Sequence, residues 1–367
     1  MAGDSITAQR LHTNFIEAFF RTRYPQWHLH FRNSGRGGNR VGDVSGRFDY
    51  DVAAWKPTIV SVELGMNDTY GANPDSKDAP SIYVNDMRLL VAHIRSISAQ
   101  PLVISSSPIN DGSTMGKWNS VQGHALDPFT DALKELGQKE NFPVVDQFHP
   151  LLTLWAANQA DKVNGISFGG DAVHVNAIAQ YTMAATILKA LDVDREVSSA
   201  TINPDGEVVA STSCKISDVA SSGGKLSFTR LDERSPWPLL QDGVTAEKLM
   251  PEITDLSRYT LTIPNLPAGQ YRITMNDKPV ATLSNEVLAK GWNISTVSEG
   301  PLADRAVAIM GLINELQSPL NEAWRSASQA KDSGKLAAAQ KDIDDTEAKL
   351  QAACQPAPIR FVIEPVK

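Results

Sequence analysis

The feature that most constrains this chain is an alternation: from residue 1 to about 192, short apolar runs are separated by longer stretches with helical periodicity. The runs are 27–31, 58–64, 101–105 and 142–146, and the helical patterns are 8–24, 80–99, 121–140 and 176–191. In the last pattern Ile178, Tyr181, Met183, Ala184, Ile187, Leu188 and Leu191 form one buried stripe. Strands joined through helices pair in parallel, since each return needs a crossover, and helices then cover both sheet faces. The expected architecture is an α/β unit of three layers around a parallel sheet.

After residue 192 the texture changes. A Ser-, Thr- and Gly-rich stretch, 198–227, leads into alternating runs at 259–263 and 271–275 with a Pro-Ala-Gly turn at 267–269 between them. That pattern predicts a hairpin in a small antiparallel β unit. From about 301 the periodicity is helical again, with 304–331 and 335–354 separated by Ser333 and Gly334, which predicts a helical hairpin. The expected division is therefore 1–192 for the α/β unit, 193–299 for a β-rich accessory unit, and 300–367 for the hairpin and an extended tail.

Composition narrows the partners. Hydrophobic residues make up 42% of the 367 and charged residues 21%, as in ordinary globular proteins. With 34 basic against 42 acidic residues the net charge is −8, so neither nucleic acid nor a membrane surface is an expected partner. The N-terminus has no basic and apolar leader pattern, which predicts a soluble chain without a visible address, secreted or periplasmic only if a leader is missing upstream and otherwise cytoplasmic. Cys214 and Cys354 have no CxxC spacing or neighbouring histidine to suggest zinc. Two buried thiols and one long-range disulfide both remain open.

Four short segments carry the chemistry. Gly3-Asp4-Ser5-Ile6 precedes a helical pattern, where backbone N–H groups can stabilise an oxyanion, although a lone serine there is usually an N-cap. The glycine-rich stretch 33–39 (Asn-Ser-Gly-Arg-Gly-Gly-Asn) follows an apolar run, and lets a backbone N–H approach a substrate or simply makes a turn. Gly65-Met66-Asn67-Asp68 follows the strongest run, placing an amide at the edge of the sheet where ligands bind in open α/β folds. Asp171-Ala-Val-His174 puts a carboxylate and an imidazole within one turn, so that Asp171 can hold the tautomer of His174. The six other histidines have no comparable setting.

Taken in order, this set resembles the SGNH hydrolases, the GDSL esterase and lipase family, over about residues 1–192. The resemblance implies a flavodoxin-like fold with a five-stranded parallel sheet, Ser5 as nucleophile, His174 as general base and acid, and Asp171 as its orienting partner. It further implies an oxyanion hole from Gly38, with Gly37 the fallback, Asn67 and the Ser5 backbone N–H. One departure is that only Met1 and Ala2 precede Gly3, where the family places a whole strand. Either that strand lies in missing upstream sequence or another segment, such as 359–363, fills its slot.

The implied activity is ester hydrolysis through an acyl-serine, needing no metal or organic cofactor. The loops 67–80 and 106–123 are polar and carry Asp68, Tyr70, Asn110, Asp111, Trp118 and Asn119, a composition suited to a sugar surface. Asp68, Tyr70, Asn110 and Trp118 are the candidate substrate contacts. A carbohydrate O-acetylesterase or short-chain carboxylesterase is the leading expectation. A lysophospholipase- or thioesterase-like lipid esterase, and a weakly catalytic glycan-binding protein, are the alternatives. The sequence indicates no oligomeric state.

Overall fold

The computed structural model describes residues 1–76 and 78–366. Lys77, in the expected loop 67–80, and Lys367, at the end of the expected tail, lie outside the described residues. The chain divides into two compact units. The first comprises Met1–Asn14, Phe31–Asp192 and Glu315–Asp344, and the second Phe15–His30, Val193–Asn314 and Asp345–Lys367.

The first unit is built on strands β1 (Ala2–Gly3), β2 (Ser34–Gly35), β3 (Ile59–Glu63), β4 (Gln100–Ile104) and β5 (Val144–Val145). They form one sheet in the order β2-β1-β3-β4-β5, with every pairing parallel. This is the flavodoxin-like order, in which ligands bind beyond the strand ends where the order reverses, beside β1 and β3. The helices of this unit are α1 (Ser5–Ala8), the first turn of α2 (His12–Arg23), whose remainder from Phe15 belongs to the second unit, α3 (Val41–Asp51), α4 (Ser81–Ser96), α5 (Val121–Glu140), α6 (Phe148–Ala160) and α7 (Ala177–Ala190). Val60, Val62 and Val103 of the sheet pack with Val44 and Phe48 of α3, Leu90 and Ile94 of α4, and Leu133 and Leu136 of α5 in one buried cluster. Elsewhere in the unit α6 and α7 meet, where Trp155 Nε1 donates to Thr182 Oγ1 at 3.0 Å.

Several expectations are corrected. The run 27–31 is not a strand; the strand lies three residues further on, where Ser34 and Gly35 pair with Ala2 and Gly3. Exposure of Trp27 and stacking of its ring on Tyr24 at 4.3 Å account for the misleading apolar signal. The pattern 8–24 is two helices, α1 and α2, broken where Arg10 takes a left-handed φ of 60°. The first-strand slot is filled by Ala2–Gly3 itself, hydrogen-bonded on both sides. Two residues suffice because the slot is flanked by β2 and β3.

The second unit contains two sheets. One has the order β13-β10-β6-β7 and the other β12-β11-β14-β9-β8, with β6 (Glu196–Ile202), β7 (Val208–Thr212), β8 (Cys214–Ser222), β9 (Lys225–Asp232), β10 (Arg258–Thr262), β11 (Gln270–Met275), β12 (Lys278–Ser284), β13 (Trp292–Asn293) and β14 (Ile359–Pro365). The expected hairpin between 259–263 and 271–275 does not form, because β10 pairs with β6 in parallel while β11 pairs with β12 and β14. Residues 359–363 therefore belong to the middle of an antiparallel sheet rather than to the first unit. Cys214 and Cys354 are free thiols. Burial pushes the Cys354 thiol up to about 12, consistent with an inert core position. Pro301–Glu315, Asn321–Ala330 and Ser333–Cys354 are α-helices. The break before the last of them falls at Lys331, with φ of 54°, not at Ser333 and Gly334, which are helical.

Candidate active site

The ends of β1, β2 and β3 and the loop before α7 each deliver one of the four sequence segments. Asp4 caps α1 by accepting from the Ile6 N–H at 2.9 Å, which fixes Ser5 as the first helical residue immediately beyond β1. Glycine is required beside it, since a β-carbon on Gly35 would lie 2.4 Å from the backbone nitrogen of Ala8. The short helix thus rests directly on the backbone of β2. Beyond β2 the turn at Arg36–Asn39 is held by the Arg36 N–H donating to Gly3 O at 3.1 Å. Within this turn Gly38 takes a φ of 74°, which favours glycine, and open space surrounds it. Gly37 is also in the open.

The base loop reaches across 169 positions. With its proton on Nδ1, His174 donates to Asp171 Oδ2 at 2.8 Å and accepts from Ser5 Oγ at 2.7 Å through Nε2. The second oxygen of Asp171 accepts from the backbone N–H groups of Val173 and His174 at 2.8 and 2.7 Å. These bonds, the His174 side chain first among them, hold the Asp171 carboxyl down at about 2, so it is ionised at any ordinary pH. Asp171 is nonetheless 64% exposed, and local hydrogen bonding rather than burial orients it.

Asn67 stands at the exit of β3, where its Nδ2 donates to Asn39 O at 3.0 Å and lies 3.5 Å from Asp4 Oδ2. The amide is thereby tied to the turn that carries Gly38. Beside it Asp68 Oδ1 accepts from the Val41 N–H at the start of α3, while burial raises its carboxyl to about 6. Of the other candidate contacts, Tyr70 projects from the β3 loop at 75% exposure. Trp118 stacks on His124 with ring centroids 5.1 Å apart. The Asn110 N–H donates to Ala172 O at 2.8 Å, which joins the loop after β4 to the base loop. The structure thus brings Ser5, His174 and Asp171 into direct contact and ties Asn67 to the Gly38 turn. It gives Tyr70 and Trp118 no bond to that set among the described residues.

Three features escaped sequence reasoning. Asp4 is 2% exposed, and burial, with Glu63 second, raises its carboxyl to about 7. Glu63, at the end of β3, accepts from Thr7 Oγ1 at 3.2 Å and Gln147 Nε2 at 2.8 Å and pairs with His12 Nε2 at 2.9 Å. Burial opposes charge on His12, but Glu63 and Gln180 outweigh it and raise the imidazole above its ordinary range. The expectation that no other histidine has a comparable setting is corrected by Asp146-Gln-Phe-His149, where Nδ1 meets Asp146 at 2.6 Å. There the second nitrogen meets Asp127 at 3.0 Å and no serine, so the same spacing makes a clasp between α5 and α6. The repeated Asp-x-x-His spacing was the available signal. Among the described residues no group of His, Cys, Asp and Glu is arranged to hold a metal ion, and no helix is long and apolar enough to cross a membrane.

Comparison with known proteins adds to this geometry. A model of the GDSL-like lipase/acylhydrolase family matches residues 1–180. A curated acetylxylan esterase of Geobacillus stearothermophilus is 26% identical over 126 residues, covering 34% of this chain and 53% of that protein. The chain thus matches about half the length of that relative. The solved structure of a gut microbial diltiazem-metabolizing enzyme is similar over 100% of this chain and 97% of that one, with a TM-score of 0.83 and 21% identity, a likeness of fold.

Proposed function

We propose, from the premise that residues 1–180 belong to the GDSL-like lipase/acylhydrolase family, that this chain hydrolyses carboxylic esters through an acyl-serine and acts on O-acetyl groups of carbohydrates. The observation that carries the reading is the continuous line Asp171–His174–Ser5, with hydrogen bonds of 2.8 and 2.7 Å. His174 Nε2 takes the Ser5 hydroxyl proton as Oγ attacks the ester carbonyl. The oxyanion is met by the Ser5 and Gly38 N–H groups and by Asn67 Nδ2, which exchanges its long 3.5 Å bond to Asp4 Oδ2 for one to the oxyanion while keeping its bond to Asn39 O. His174 then protonates the departing alkoxide, leaving an acyl-serine and a free alcohol. Water attacks this ester with His174 again as base, releasing the acid and restoring Ser5. Asp171 stabilises the imidazolium at both stages.

The carbohydrate part of the proposal is supported by the polar loops after β3 and β4 and by the similarity of 126 residues of this chain to an acetylxylan esterase. Incubation with acetylated xylo-oligosaccharides tests it. Release of acetate at a turnover of about 1–10³ s⁻¹ is expected. Rapid hydrolysis of p-nitrophenyl acetate with no release from the glycan would keep the esterase and overturn the substrate class.

A further inference from the structure

A cavity of about 420 Å³ opens alongside the loop that carries Asp171, and the hydrolytic steps above make no use of it. Its walls come from the C-terminal end of α6 (Asn158, Gln159), the glycine-rich loop Gly165–Ala172, and Asn110 after β4. The loop is fixed in advance to the other two elements. Asn158 holds the loop through two 2.8 Å bonds to the backbone of Ile166, and the Asn110 N–H bonds Ala172 O. Phe168 is buried edge-on against Trp155, so the lining offers hydrogen-bonding groups rather than an aromatic platform. Among the described residues no lysine, arginine or histidine lines it, while Asp161 and Asp171 both do.

We propose that this cavity is a subsite for a neutral, hydroxyl-rich unit of an oligosaccharide, held on the His174 side of the reacting ester. The proposal rests on the hydrolase reading given above and deepens it by naming what the leaving-group side accepts. Volume and preformed walls match a ligand site, which for small molecules spans roughly 300–1,000 Å³. Side-chain amides and the Ser167 hydroxyl can both donate to and accept from sugar hydroxyls. The two carboxylates make the lining electronegative, and the nearby Lys162 ammonium is engaged with Gln159 O at 2.9 Å, so a uronate or phosphate brought there meets like charge from the walls. Gly165 and Gly170 let the loop pack closely on its own supports, since a β-carbon there would lie 2.3 Å from Asp161 O and 2.1 Å from His174 O, which keeps this wall fixed.

Calorimetric binding to Ser5→Ala protein tests the subsite without relying on turnover. Xylotetraose should bind, and tri-galacturonate should bind at least about tenfold more weakly. Gln159→Trp in the Ser5→Ala background places a bulky ring in the cavity from the exposed end of α6, and should weaken xylotetraose at least about tenfold. Asn110→Ala, which removes only an amide, should weaken it in the same direction. In the otherwise native chain, Gln159→Trp should lower the ratio of kcat/KM for acetylated xylo-oligosaccharide to that for p-nitrophenyl acetate. Failure of xylotetraose to bind, unchanged binding by both variants, or preference for the uronate would each overturn the subsite. Absence of p-nitrophenyl acetate hydrolysis by the native protein would instead overturn the hydrolase reading, whatever the binding result.

Discussion

Gly35 faces the backbone of Ala8 so closely that a β-carbon at Gly35 would come within 2.4 Å of the Ala8 nitrogen and 2.7 Å of the Thr7 carbonyl carbon. The position of Ser5 therefore depends on a residue 30 positions away that has no chemistry of its own.

Gly35→Ala should displace α1, because the obstructing atoms are backbone and cannot rotate aside. A loss of about 1–3 kcal/mol in stability is expected, the usual cost of overpacking. Misplacement of the nucleophile by about 1 Å can cost about 10²-fold in kcat. Thermal unfolding and ester turnover of the variant measure both, and native turnover would show that α1 is not held from β2.

Asn67→Ala should lower kcat about 10²–10³-fold with a smaller change in KM, as expected of a donor that acts chiefly in the transition state. Its bond to Asn39 O adds a second expectation, since loss of the amide also frees the Gly38 turn. Steady-state kinetics on p-nitrophenyl acetate decide the matter. A change confined to KM would make Asn67 a ground-state contact.

The buried Asp4 carboxyl, raised to about 7, makes stability depend on pH. Between about pH 4, where the unfolded carboxyl ionises, and about pH 7 the folded state keeps a proton that the unfolded state has lost. Stability therefore falls as pH rises through this window, and Asp68, raised to about 6, adds to the same trend. Asp4→Asn keeps a capping oxygen for Ile6 and removes the titration. The difference in Tm between pH 5 and pH 8 should shrink in the variant; an undiminished difference would mean that Asp4 ionises as an ordinary carboxylate.

Much of the first unit was legible in the sequence because its strands and helices have different periods. The run 58–64 and the patterns 121–140 and 176–191 correspond closely to β3, α5 and α7. The shorter elements were not legible. β1 and β2 have two residues each, too few to show any period, and what makes them strands is pairing with neighbours distant in sequence. The β10–β11 connection misled for a related reason, since local turn chemistry cannot reveal that the two runs enter different sheets. In the site, Ser5, Asn67, Asp171 and His174 were visible as motif residues. The roles of Asp4, Glu63 and His12 were not, because a buried polar network is defined by packing rather than by spacing.

Acyl length should separate the carbohydrate reading from its lipid alternative. The polar loops offer no long apolar lining, and each added methylene gains its roughly 0.8 kcal/mol only where it can be buried. Hydrolysis of nitrophenyl esters should fall steeply beyond about four acyl carbons. Octanoate or longer esters as the best substrates would favour the lipid esterase.

The central claim is that Ser5 forms the acyl intermediate, and turnover of p-nitrophenyl acetate by Ser5→Ala tests it most directly. Ser5 is half-buried at the surface end of β1, so the change should leave the circular dichroism spectrum and Tm near native. The account predicts a fall in kcat of about 10⁴–10⁶-fold, as for removal of a triad nucleophile. A folded Ser5→Ala protein that kept more than a few per cent of native activity would contradict it.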